Sequence, residues 1–169
     1  MKTDLIDLKW DDLVSPTLSP DKYLEIYAER VKSNYDSYEP KSNILEKIKN
    51  KLTVNNKKLK IIALGADWCP DCSVNVPKLI KIVKGLDIKE VDLRILYGVM
   101  VNALHKPGET IWHKNRSPPE AVNPKFDLRK IPTFYFFDEE SNYLGVIVEN
   151  PKYGSTLEED TLEIIEKTL

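Results

Sequence analysis

Cysteine is nearly absent from this chain of 169 residues: there are two, at positions 69 and 72, and a framework of structural disulfides is excluded. Histidine is as scarce, with His105 and His113 alone. No apolar run approaches the ~20 residues that span a bilayer, so no membrane partner is expected. An excess of charge of one sign is missing too. The 25 Lys and Arg nearly balance the 27 Asp and Glu, with the signs interspersed, which gives no footing for nucleic acid as a partner. The first residues, Met1-Lys2-Thr3-Asp4-Leu5-Ile6-Asp7, hold acids where a secretory signal has a basic start and an apolar stretch, so the expected compartment is the cytoplasm. In that reducing setting a close cysteine pair reads as catalytic or metal-binding rather than as a staple.

What is present is enough apolar sequence for one domain with a core, 41% of residues. Residues 1–41 read as an N-terminal helical extension and 42–169 as the main domain. Within the extension, Leu24, Tyr27, Ala28 and Val31 fall on one helical face, and Glu39-Pro40 closes the region. Ser42 is a candidate cap for a helix carrying Ile44, Leu45, Ile48 and Leu52. Leu59 to Gly65 is a short apolar run of the kind found in a buried central strand. Val76, Leu79, Ile80 and Val83 trace a helix that Gly85 is placed to stop, and Val91 to Tyr97 alternates as a strand. A short helix is expected over 98–104, then a Pro-rich loop over 105–124. Thr133 to Phe137 and Tyr143 to Val148 predict a hairpin, and Ser155 or Thr156 caps a last helix. The order from Ser42 is α-β-α-β-α-β-β-α. It implies an α/β fold, a central mixed sheet flanked by helices.

The two cysteines lie three apart in Trp68-Cys69-Pro70-Asp71-Cys72, between the apolar strand and the helix pattern. That setting suits dithiol–disulfide chemistry. The strand holds the pair, and a helix N-terminus turns its unpaired N–H groups toward the first sulfur, so Cys69 is the expected nucleophile and Cys72 the resolving thiol. Pro70 suits the first helical position because its missing N–H has no helical partner there. Asp71 acts in two directions: its charge disfavours a nearby thiolate, while an acid in the first turn favours the helix. Two thiolates and two imidazoles match a tetrahedral zinc site in kind, but His105 and His113 are eight apart, wider than zinc-site spacing. No metal and no cofactor is expected.

The chain resembles the thioredoxin superfamily. The resemblance rests on Trp68 before the first cysteine, on Pro77 eight residues after it, and on Ile131-Pro132-Thr133 at the start of the hairpin. It covers roughly residues 44–169 and implies a thioredoxin-like fold. It also implies a cis bond before Pro132, which turns the Ile131 backbone toward the sulfurs, and a substrate surface formed by Trp68, Ile131 and Pro132. The family's buried acid six residues before the first cysteine, which takes the proton of the second thiol, is replaced by Ala63, leaving Asp71, Asp67 or water as acceptors. Arg129-Lys130 would stand close to the site, favouring thiolates or an acidic substrate such as glutathione, or serving as a solvated strand start.

The function implied is thiol–disulfide exchange, with reduction favoured. The substrate would be a protein or small-molecule disulfide, and the electron donor a thioredoxin reductase or a low-molecular-weight thiol. The competing reading is a non-catalytic binding module whose CxxC senses redox state or binds metal.

Overall fold

The computed structural model describes residues 7–169; residues 1–6, on which the expected compartment largely rests, lie outside the described residues. Helix α1 spans Pro20–Ile26, α2 Ala28–Ser37 and α3 Ser42–Val54. Strand β1 (Leu59–Gly65) leads into helix α4 (Pro70–Leu86) and strand β2 (Val91–Tyr97). After a long connection come β3 (Thr133–Asp138), β4 (Tyr143–Val148) and α5 (Leu157–Thr168). The sheet order is β2-β1-β3-β4, with β1 parallel to β2 and antiparallel to β3.

This topology follows from the sequence pattern. Six of the seven β1 residues are buried, as a strand covered on both faces requires, and Lys60 is the exception. The β1-α4-β2 crossover makes the parallel pair, and the turn at 139–142 makes the antiparallel one. Ile61, Ile62, Leu64, Phe134, Phe136 and Ile165 are core residues, and Leu8, Tyr23 and Val31 of the N-terminal segment belong to the same core. Leu18 exchanges two backbone hydrogen bonds with Ile95, at 2.8 and 2.9 Å, along the outer side of β2.

Helix α4 carries Pro77 in its interior. Proline has no N–H, so the carbonyl four residues earlier, that of Ser73, loses its helical partner. Asn34 of α2 takes that place and donates its side-chain amide to the Ser73 carbonyl at 3.0 Å.

Four local expectations are corrected. Residues 98–104 form no helix: the Asn102 N–H reaches the Ile111 carbonyl at 2.7 Å and the His113 N–H reaches Met100 at 2.6 Å, so the segment is bridged in extended form to Trp112. Gly98, at φ +112°, turns the chain out of β2. The expected order therefore loses its third helix, to α-β-α-β-β-β-α. Gly85 does not end α4; the helix runs to Leu86 and Asp87 takes the left-handed cap at φ 49°. Gly85 instead faces Leu45, where a Cβ would lie 3.0 Å from the Leu45 Cδ1. The single helix expected near Leu24–Val31 is broken at Tyr27 into α1 and α2, and Lys41 rather than Ser42 stands at the cap of α3.

The 105–124 connection is anchored. Trp112 is buried and donates Nε1–H to the Leu128 carbonyl at 2.7 Å. Glu120, also buried in a short 3-10 turn, accepts from the Val14 N–H at 2.7 Å, the Ser15 N–H at 2.9 Å and the Ser15 hydroxyl at 2.6 Å.

Candidate active site

Strand β1 ends at Gly65, the chain turns over Ala66 to Trp68, and α4 begins at Pro70 with Cys69 as its cap. The Cys69 backbone is extended, and its Sγ accepts the Cys72 N–H at 3.3 Å, so the sulfur occupies the place a serine or aspartate oxygen takes at other helix starts. Pro70 sits at the first helical position. Both cysteines are free thiols; Cys69 is 6% exposed and Cys72 is fully buried.

The Ile131–Pro132 bond is cis. The Ile131 carbonyl faces the helix start and accepts from Cys69 Sγ at 3.6 Å. Behind it, the Pro132 carbonyl accepts the Glu149 N–H at 2.7 Å. Asn75, buried one turn beyond Cys72, donates its amide to the Glu149 carbonyl and to the Asn150 side chain, each at 2.9 Å. Helix α4 is thereby tied to the end of the hairpin on the inner side of the proline loop.

Trp68 stands at the rim, 43% exposed, with Nε1–H donated to the Val99 carbonyl at 2.9 Å. Asp71 is half-buried on the first turn of α4. The Cys72 thiol is held well above its ordinary value. Burial is the main cause, followed by its hydrogen bond to Cys69; the Ala66 backbone works the other way, and the charges of Cys69 and Asp71 push up further. The structure thus gathers Cys69, Cys72, Ile131 and Pro132 at one helix start, with Trp68, Pro70 and Asp71 beside them.

The remaining candidates lie elsewhere or face outward. His105 is exposed and its Nδ1 pairs with the Asn102 carbonyl at 2.9 Å, while His113 Nδ1 accepts from the N–H groups of Asn115 and Arg116. Among the described residues, no group of three or more His, Cys, Asp or Glu is placed to hold a metal ion. Asp67 is exposed, and its carbonyl takes the Arg30 guanidinium at 2.9 Å. Arg129 pairs with Asp127 at 3.1 Å, and Lys130 lies 3.9 Å from Glu149.

Sequence reasoning missed the inner wall of the site. A Cβ on Gly65 would fall 2.9 Å from Cys72 Sγ and 3.0 Å from Tyr97 Cε1, so sulfur and ring crowd the same point. The Tyr97 hydroxyl pairs with the Tyr23 hydroxyl at 2.6 Å. The register that places Tyr97 opposite Gly65 was open to prediction once β1 and β2 were read as parallel; the long-range partner Tyr23 was not.

A thioredoxin-like α/β domain with a dithiol at a helix start is the class these features define. A family model described as Thioredoxin matches residues 17–97, and over that stretch the chain is similar to the thioredoxin superfamily. Among solved structures, it is similar to a protein of unknown function from Pseudomonas aeruginosa, at 21% identity over 96% of this chain and 95% of that one, with a TM-score of 0.53. It is also similar to an HIV epitope-scaffold, at 19% identity over 98% and 97% of the two chains, with a TM-score of 0.58. At such identities the likeness is one of fold. No curated protein matches the chain.

Proposed function

We propose that the protein is a thiol–disulfide oxidoreductase working in the cytoplasm as a disulfide reductase through Cys69 and Cys72. The observation that carries this reading is the capping of α4 by the Cys69 sulfur, which takes the Cys72 N–H at 3.3 Å with the Ile131 carbonyl beside it. Backbone donors aimed at a sulfur stabilise a negative charge there, and the thiolate is the reactive species.

The Cys69 thiolate attacks a substrate disulfide R–S–S–R′, forms Cys69–S–S–R and releases R′–S⁻, which takes up a proton. Cys72 then loses its proton and attacks the Cys69 sulfur. The Cys69–Cys72 disulfide forms and R–S⁻ departs. The substrate gains two electrons and two protons in all, and the protein returns to the dithiol at the expense of a thioredoxin reductase or a low-molecular-weight thiol. Trp68, Ile131 and Pro132 form the surface on which the substrate lies, its backbone pairing beside Ile131. Pro70 and Asp71 adjust the thiolates.

The deciding experiment measures the reduction potential of the Cys69–Cys72 couple by thiol trapping in defined dithiol buffers, with metal assayed on the same sample. A value near thioredoxin's, about −270 mV, is expected of a reductase, whereas about −120 to −180 mV marks an oxidant or isomerase. Cys69→Ser should abolish turnover and Cys72→Ser should trap substrate as a mixed disulfide. Zinc co-purifying with a chain that forms no disulfide overturns the reading in favour of a binding module.

A further inference from the structure

The helical extension before residue 42 holds the dithiol segment at two points, and both contacts come from α2. Arg30 donates from its guanidinium Nη1 to the Asp67 carbonyl at 2.9 Å, two residues before Cys69. Asn34 donates to the Ser73 carbonyl at 3.0 Å, one residue after Cys72. Residues four apart on a helix are surface neighbours, so one face of α2 spans the stretch that carries both sulfurs. Ser73 is itself tied to Cys69: its N–H reaches the Cys69 carbonyl at 3.1 Å, and its hydroxyl reaches the same oxygen at 3.4 Å. From the other direction the Trp68 indole is held to the Val99 carbonyl. Among the described residues no carboxylate lies within ion-pair distance of Arg30, so the guanidinium serves the turn before Cys69. Helix α2 also has a footing of its own. Val31 is buried in the core, and the Tyr35 carbonyl accepts from Lys81 Nζ of α4 at 3.1 Å.

We propose that Arg30 and Asn34 are positioning residues through which α2 clamps the dithiol segment at both ends, keeping the Cys69 sulfur in line for Cys72 in the second step of exchange. This gives the N-terminal extension a part in the reaction and rests on the thiol–disulfide reading above. The first step needs only Cys69 and the incoming disulfide. The second is more demanding. Cys72 loses its proton to solvent and attacks the Cys69 sulfur of Cys69–S–S–R. The Cys69–Cys72 bond forms as the bond from Cys69 to the substrate sulfur breaks, and R–S⁻ departs and takes up a proton. Three sulfurs must lie in line while the bound substrate draws Cys69 toward solvent. A misplacement of about 1 Å costs an oriented step of this kind as much as about 100-fold. Neither Arg30 nor Asn34 touches a reacting sulfur; they act through Asp67 and Ser73.

The test uses a neutral dipyridyl disulfide, which releases one coloured thiol when Cys69 attacks and a second when Cys72 resolves the mixed disulfide. Stopped-flow absorbance therefore reads both steps in one trace. Arg30→Met and Asn34→Ala each remove one end of the clamp and leave Val31 and Tyr35 in place. Each should slow the second release by about tenfold and leave the first release unchanged. Glu120→Gln, which weakens the fold at residues 14–15, far along the chain from α2 and the cysteines, is the control and should keep both rates. A second release at the wild-type rate in either clamp variant overturns the proposal. So does an equal slowing of both releases, or a slowed second release in the control, since each marks a general loss of structure. A wild type that releases no second thiol sinks the enzymatic reading instead, and the two failures are told apart.

Discussion

Asn34 donates to the Ser73 carbonyl in place of the N–H that Pro77 lacks. A proline inside the helix that carries both cysteines is thus repaired from a neighbouring helix. Asn34→Ala should cost about 1–2 kcal/mol, within the range for an unsatisfied backbone group. In a Pro77→Ala background, residue 77 regains an N–H for Ser73 and the cost of Asn34→Ala should shrink. A double-mutant cycle by urea unfolding checks this; strictly additive effects would refute the repair.

Gly65 faces the Cys72 sulfur without a side chain. Its replacement by alanine puts a methyl 2.9 Å from Cys72 Sγ and 3.0 Å from Tyr97 Cε1, between two groups that have little room to move. Gly65→Ala should destabilise the protein by about 1–3 kcal/mol through overpacking, visible as a lower Tm. Cys72→Ala in the same chain removes one of the two clashes and should recover part of the loss.

The Glu120 carboxylate binds the N-terminal segment by three hydrogen bonds. Burial by itself would raise its pKa, but the Ser15 hydroxyl and the N–H groups of Val14 and Ser15 outweigh it and hold the group below its ordinary 4.5. A folded value below the unfolded one gives stability that is present above pH 4.5 and is lost as pH falls through the folded value. Glu120→Gln should therefore be less stable than wild type by about 1–3 kcal/mol at neutral pH. The gap in urea midpoints should close in strong acid.

The alkaline side has the opposite sign. Cys72, Tyr23, Tyr97 and Tyr135 are all raised, with burial as the first cause. Below the ordinary values of 9.0 for the thiol and 10.0 for the phenols their contribution is complete. Above them the unfolded chain gives up protons that the folded chain keeps, so stability declines as pH rises. Urea midpoints measured from pH 8 upward should fall, and oxidation of the pair to a disulfide should remove the Cys72 share of that decline.

Asn75→Ala removes both bonds to the end of the hairpin, and with them the link between α4 and the backbone that supports Pro132. The expected outcome is a loss of about 1–3 kcal/mol in stability and slower mixed-disulfide formation with a peptide substrate. Stopped-flow kinetics with a small disulfide alongside separates the two effects: the small substrate should be less affected.

What was legible in the sequence was what depends on short spacing. The LKIIALG run, the hairpin bounded by Asp138 and Tyr143, and a cap at Ser155 or Thr156, which falls at Thr156, all rest on residues a few positions apart, and the strands and α5 start where the pattern puts them. Cys69 and Cys72 belong to this class, since three residues span one helical turn. What escaped depends on distant partners. Residues 98–104 have an acceptable helical pattern, yet their backbone bonds go to 111–113. Gly85 looks like a stop and serves as a clearance for Leu45. Tyr23 and Tyr97 are 74 positions apart, and no local signal joins them.

The bonds between Leu18 and Ile95 bear on how copies of this chain meet. An uncovered strand margin is a template on which another chain can extend the sheet. At β2 the protein's own N-terminal segment already occupies that margin at its middle, so a neighbour finds the template interrupted. The margin at β4 is different: Lys9 bridges to Asn142 near its start, but its far end carries Val148, 45% exposed. Self-association by strand pairing would fall to the far end of β4, at the opposite margin of the sheet from β2 and Tyr97.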